Sequence, residues 1–301
     1  MKTLKVLLST YTGEKYLKQQ LDSLLSQTYK NFEIIARDDG SRDKTLEILR
    51  SYDVTIIESK ENLGVKRSFG KLLEYAIKDS DTDYIMFCDQ DDVWEEDKLE
   101  KTLLQMQEME RQYSNIPLLV HTDLEVVDEK LNSINSSFMD FQKIDPSKNK
   151  FHNLLIQNTI TGCTVMINRE LAQKSLPIPD TAIMHDWWIG LVASKFGKIC
   201  YVDETTIKYR QHADNTIGAK GFDIGFVLKI IFNKVSLDHN IHQAKAFLKQ
   251  FENEINDETR QMLNEFISLN QKTYYQKRRI LLKYKLFKHG FIRNLGLLIK
   301  I

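Results

Sequence analysis

Long apolar runs are missing from this 301-residue sequence. No stretch approaches the roughly 18 uninterrupted apolar residues that a bilayer crossing needs, so no spanning helix is expected. Cysteine is scarce. Cys88, Cys163 and Cys200 lie far apart, with neither Cys-x-x-Cys nor Cys/His metal spacing. The opening MKTLKVLLSTYTGEKY turns polar too soon for a secretory leader and reads as a first strand. Together these favour reduced thiols and a cytoplasmic protein, with Cys88 and Cys163 as small core residues. Internal repeats and low-complexity linkers are absent too. Net charge is zero, 42 Lys/Arg against 42 Asp/Glu, but residues 266–301 hold nine basic residues and no acid. The remainder is left with 33 basic against 42 acidic. A basic tail on an acidic body directs the tail toward an anionic surface, either peripheral contact with anionic lipid or, failing that, terminal-helix packing or a homodimer contact. Nucleic acid is not an expected partner, because no reader motif or stacking platform is present and the acidic body repels phosphate.

What is present is a repeated change of period. LKVLLST and FEIIARD are apolar runs of strand length, and Leu17, Leu21, Leu24 and Leu25 recur between them at helical spacing. VTIIES follows, then a helical stripe of Val65, Phe69, Leu72, Leu73, Ala76 and Ile77, then YIMFCD. Leu99, Leu103 and Met106 mark another helix and PLLVHTD another strand. Alternating β and α with nearly continuous apolar strands gives an α/β fold, a mostly parallel sheet covered on both faces. Residues 123–159 read as loops with a short helix near 151–157. TITGCTVMIN alternates as a strand with Cys163, Val165 and Ile167 on one face. MHDWWIGLVASKFG reads as a helix from about 186, KICYVDETTIKYRQH as strand, and the chain beyond Asp223 as helical. Within the tail, Ile280, Leu281, Tyr284, Phe287 and Phe291 share a helical face.

Polar clusters follow each of the first four strands: STYTGE, RDDGSRD, SKENLG and DQDD. Ligands of such sheets bind beyond the C-terminal strand ends, so these clusters converge on one edge. The segment FCDQDDVW sets three carboxylates, Asp89, Asp91 and Asp92, directly after an apolar strand. Like charges that close repel, and burying one unpaired is costly, so a cation is expected among them. A simpler alternative is that Asp91 or Asp92 caps the helix from about 95.

The segments from VLLSTYTG through RDDGSRDKT, then ENLG, DQDD and HDWW, together resemble the nucleotide-sugar glycosyltransferases of family 2, over about residues 3–215. That family has the GT-A fold, a Rossmann-like mixed sheet flanked by helices. DQDDVW and HDWW…YRQH are most similar to bacterial rhamnosyltransferases of polysaccharide assembly. The resemblance implies a GT-A domain over 1–220 and a basic helical region over 221–301. It also implies a metal-dependent inverting transfer of sugar from a UDP or dTDP donor, dTDP-rhamnose among them, to a hydroxyl of a surface polysaccharide or lipid-linked saccharide. A diphosphate is anionic, so an acidic pocket holds it through Mg²⁺ or Mn²⁺, hard cations that take oxygen ligands.

By the same resemblance, Asp89, Asp91 and Asp92 are the metal candidates, with Asp91 or Asp92 the main ligand and Asp89 also positioning ribose or sugar. His212 is a further metal or diphosphate ligand unless it is structural, and Arg210 a phosphate or sugar partner. Asp39 accepts from the base ring with Asp38 in support, although an Asx turn at Gly40 explains the same residues. Thr10 and Tyr11 border the base, with Thr12 where the family has Asn. Asn62 and Gly64 approach ribose and phosphate, or form a plain turn. Asp186 is the general base, or otherwise a helix cap. Trp187 and Trp188 stack on a sugar or pack in the core, and Gly162 lies under the acceptor. A catalytically inactive sugar-nucleotide-binding protein and a nucleotidyltransferase are the alternatives. The latter lacks its long Gly-rich loop here.

Overall fold

The computed structural model describes residues 2–212 and 236–301. A nine-stranded sheet runs in the order β3-β2-β1-β4-β8-β6-β9-β5, with β7 paired to β6. Its first half is parallel: β1 (Thr3–Thr10) lies between β2 (Phe32–Asp38) and β4 (Thr82–Cys88), and β3 (Thr55–Glu58) borders β2. The chain reverses direction of winding at β1 and β4, where the crevice of such sheets opens. The second half is mixed. β8 (Val165–Asn168) is antiparallel to β4 and to β6 (Leu118–Val127), β6 is parallel to β9 (Lys198–Arg210), and β5 (Val93–Trp94) pairs antiparallel with β9.

Strand alternation divides the core into two layers. Leu4, Val6 and Leu8 of β1 face Leu21 and Leu24 of α1 (Leu17–Leu25) and Leu99, Leu103 and Met106 of α4 (Lys98–Gln112). Leu7, Ile35, Ile85 and Phe87 face the opposite side, against Phe69 and Leu72 of α3 (Val65–Ala76) and Trp188 and Ile189 of α8 (His185–Phe196). Both faces being covered explains why these strands read as unbroken apolar runs. The helices α9 (Asp238–Phe251), α10 (Asp257–Ile267), α11 (Tyr274–Lys283) and α12 (Phe291–Lys300) extend this second layer, adding Phe247, Phe251, Leu263 and Phe266 to it. The boundary expected at 220/221 lies outside the described residues.

Three local expectations are corrected. The segment at 123–159 is less irregular than expected: β6 reaches Val127, β7 (Ser133–Asn135) pairs with it, and α5 (Phe138–Gln142) precedes α6 (Phe151–Leu154). In TITGCTVMIN, Gly162–Thr164 forms a 3₁₀ turn, so Cys163 packs in the first layer while Val165 and Ile167 pack in the second. A turn shifts the phase that a continuous strand would have kept. The tail stripe is also broken. α11 ends at Lys283 and Lys285 takes φ 53°, so Ile280 and Leu281 are buried while Phe291 begins a separate helix and is exposed.

Candidate functional site

A cavity of about 1060 Å³ opens over the C-terminal ends of β1 and β4. Its polar end is built from the first two strand-end loops. Asp38 is fully buried and spends its carboxylate on the loop itself, accepting from Thr10 Oγ1 at 3.1 Å, Ser41 N at 2.8 Å and Gly40 N at 3.1 Å. It thereby holds Gly40 at φ 87°, a conformation that side-chain-bearing residues resist. Asp39 lines the cavity. One of its oxygens is paired with Arg37, and Oδ2 accepts from Gly64 N at 2.8 Å, as does Asn62 Oδ1 at 2.9 Å. The loop after β2 is thus tied to the ENLG turn. Thr10, Tyr11, Asn62 and Gly64 all border the cavity, and Tyr11 is 51% exposed. Thr12 adopts φ 51°, the left-handed region that an Asn tolerates better than a β-branched residue.

Gln90 was not anticipated from sequence as more than the middle of DQD. Its side chain grips the Tyr11 backbone at both ends, Oε1 accepting from Tyr11 N at 2.8 Å and Nε2 donating to Tyr11 O at 3.0 Å. That two-point bond fixes the first strand's loop against the fourth strand's carboxylates. The only sequence signal was a buriable amide set between charged neighbours.

The carboxylates separate by depth. Asp89 and Asp91 line the cavity, and Asp91 Oδ2 lies 2.8 Å from His212 Nε2. Asp92 is fully buried behind them: Oδ1 accepts from Arg210 N at 3.1 Å and Oδ2 has no partner among the described residues. Burial first, then the Asp91 and Asp186 charges, push the Asp89 carboxyl up to about 7. Asp92 is driven well above the usual carboxylate range by burial and then by the Asp91 charge. Asp89, Asp92 and Cys163 bring one ligand-capable atom each within 4.8 Å of one another. The Cys163 thiol is pushed upward by burial and stays protonated, which suits a hydrogen-bond donor better than a ligand for a hard dication. The outward carboxylates of Asp89 and Asp91 offer the oxygen donors that Mg²⁺ or Mn²⁺ takes, with the His212 imidazole, paired to Asp91, a further donor beside them.

One expectation changes here and one open alternative is decided. Arg210 is 2% exposed and its guanidinium is committed, Nε to Asp91 O at 2.8 Å, Nη1 to Glu129 O and Nη2 to Gln19 Oε1 at 2.6 Å each. It braces the DQDD loop instead of facing the cavity. Trp188 is fully buried, donating to Ser175 O at 2.8 Å and packing on Phe247 and Phe251. It belongs to the core, because successive residues of a helix point about 100° apart and only one of the pair faces outward. Trp187 is that one: half-buried, it lines the cavity with Nε1 bonded to Leu154 O at 2.5 Å.

Asp186 sits in the first turn of α8 and opens into the same cavity. Burial raises its carboxyl to about 6, against backbone donors including Trp187 N at 2.7 Å and the amide of Asn158 at 3.4 Å. Gly162 lies beneath it. A Cβ there would stand 3.0 Å from His185 Nε2, so any side chain would have to press the His185 ring aside by a few tenths of an ångström. His185 stacks on Phe69 at 4.2 Å, and neither ring nitrogen has a partner among the described residues. Burial lowers it to about 3, so it is neutral at working pH.

The model of the family described as glycosyl transferase family 2 matches residues 5–176. In sequence the chain is similar to an uncharacterized glycosyltransferase of Rickettsia typhi, 31% identical over 219 residues. The match covers 70% of this chain and 64% of that protein, so this chain spans less than two thirds of that relative's length. It is similar also to the dTDP-rhamnosyl transferase RfbG of Shigella flexneri, 28% identical over 258 residues, 80% of this chain and 82% of that one. In structure it superposes on S. aureus TarS 1–349 in complex with UDP-GlcNAc, with a TM-score of 0.57 at 15% identity, covering 99% of this chain and 90% of that one. The sheet order, the covered faces and this superposition define a GT-A-like fold, and with more than half its length matched by the family model, the chain belongs to glycosyl transferase family 2.

Proposed function

We propose that the protein is a metal-dependent inverting glycosyltransferase that moves a sugar from a dTDP or UDP donor to a hydroxyl of a surface polysaccharide or lipid-linked saccharide. The observation that carries this reading is the gathering, around one cavity, of the Asp186 carboxyl, poised near 6, and of the Asp89 and Asp91 carboxylates with an imidazole. The first is suited to take a proton and the second to hold a dication. In the proposed reaction Asp186 accepts the proton of the acceptor hydroxyl as that oxygen attacks the anomeric carbon. The bond from that carbon to the diphosphate oxygen breaks, the nucleoside diphosphate departs with the electron pair, and configuration inverts. Asp89, Asp91 and His212 would hold Mg²⁺ or Mn²⁺, which when bound supplies charge neutralisation for the leaving diphosphate. Asp39 would accept from the N3–H that uracil and thymine share, with Tyr11 against the base. Rhamnose as the sugar is supported by the similarity to RfbG and by the HDWW and YRQH segments. A cytoplasmic site of action is part of the same proposal; among the described residues no helix is long and apolar enough to cross a membrane.

The test is release of nucleotide from UDP- and dTDP-sugars, with and without Mn²⁺. Turnover is expected only with metal and only with an intact Asp91 and Asp186. Unchanged turnover in Asp91→Asn and Asp186→Asn proteins sinks the assignment.

A further inference from the structure

The last helix is mounted with its apolar side outward. At about 100° per residue, Phe291, Ile292, Leu295 and Ile299 fall within roughly one quarter to one third of the circumference of α12. They are respectively 80%, 38%, 47% and 57% exposed. The opposite side makes the attachments: Leu297 is fully buried, and Arg293 donates to Lys143 O at 3.0 Å and Gln142 O at 2.5 Å. Just upstream, His289 Nδ1 accepts from Asp145 N at 2.9 Å. These bonds hold the 142–145 segment, whose Ile144 lines the main cavity. The outward apolar stripe therefore lies directly behind one wall of the proposed active site.

We infer that this stripe is a docking face for an anionic lipid bilayer. Charge selects the occupant. The 36 residues from 266 to 301 carry nine Lys/Arg and no acid; Arg279 and Lys285 are exposed, while Lys283 is paired with Glu265 at 2.7 Å. Apolar side chains carried on a cationic segment match the headgroup boundary of an anionic leaflet, where aliphatic and aromatic groups enter the acyl region and Lys/Arg meet phosphate. A second copy bound through the same face would set two cationic tails against each other, which like-charge repulsion opposes. The inference rests on the proposed function only for its purpose, a cavity held beside a lipid-linked acceptor; the binding itself is independent of any reaction.

The experiment is flotation of the full chain with vesicles of equimolar phosphatidylglycerol and phosphatidylcholine, against vesicles of phosphatidylcholine alone. Binding is expected to the anionic vesicles only and to fall steeply when salt is raised to about 0.5 M, where screening shortens to a few ångströms. The F291S/L295S double variant is expected to lower the partition at least about tenfold, with its unfolding temperature unchanged because both side chains are exposed. Arg279→Glu with Lys285→Glu should weaken binding as well, whereas Leu104→Ser, an exposed apolar position on α4, should not. Equal binding to both vesicle types, or a double variant that floats like the parent, overturns the inference. So does a failure to float combined with a sedimenting dimer that the double variant dissociates. None of these readings uses a donor or acceptor, so failure of the transfer reaction would be seen separately.

Discussion

Asp186 and Asp89 show how one residue type is given two tasks by its surroundings. Both start from an ordinary carboxyl, and burial is the leading cause of the rise in each. Asp186 keeps backbone and Asn158 donors that limit its shift, whereas Asp89 faces the further charges of Asp91 and Asp186. A base at about 6 is protonated below that pH and competent above it, so turnover is expected to rise through pH 6 and then level off. Asp186→Asn should remove that limb and lower turnover by about 10²–10⁴-fold while leaving donor affinity intact, checked by isothermal titration. Stability moves the other way. Both groups hold their protons more tightly folded than unfolded, so the stability that these two carboxyls contribute to the metal-free protein falls as pH rises between about 4 and 7, while buried His121 and His185, each lowered to about 3, contribute the opposite slope. Mn²⁺ should flatten this slope, since a bound dication favours the ionised carboxylates. Thermal melts of the parent and of Asp186→Asn at pH 4.5 and 7.5, with and without Mn²⁺, read the effect as a difference in which the histidines cancel; a metal-free parent that does not lose stability relative to Asp186→Asn over that range contradicts the burial of this acid.

At the scale of elements, loops do the positioning and the strands make the loops converge. Parallel pairing puts the ends of β1 and β2 level, Thr10 beside Asp38, and β4 beside β1 brings the DQDD segment to the same rim. Gln90 then locks two of these loops together. Replacing it by Ala removes both bonds to the Tyr11 backbone, each contributing about 1 kcal/mol, and frees the loop expected to contact the base. The expected outcome for Gln90→Ala is a raised KM for donor, by about tenfold, with kcat little changed; a fall in kcat at constant KM would place Gln90 in the chemistry instead. Which acids would face this rim was legible from DQDD following an apolar strand. Which of them sits behind it was not, because depth depends on β9, whose Arg210 backbone claims Asp92 from 118 residues away in sequence.

For the whole molecule, the C-terminal helices and the sheet share one apolar layer. Phe247 meets Phe151 at 4.8 Å and Trp188 at 5.8 Å, so a Phe247→Ala cavity should cost about 3–5 kcal/mol and shift one cooperative unfolding transition. Two separated transitions in calorimetry would instead show an independently folding tail. The sequence by itself determined the α/β class, the strand-end placement of the polar clusters and the family, because these follow from local periodicity and from short segments whose residues act through near neighbours. It also marked the tail as cationic. The tertiary structure alone decided that Trp187 faces the cavity while Trp188 is core, that Arg210 braces a loop, that Asp91 stands forward of Asp92, and that α12 turns its apolar side outward. Those outcomes depend on what packs against each residue from distant parts of the chain, and burial, unlike periodicity, is not a property of a segment.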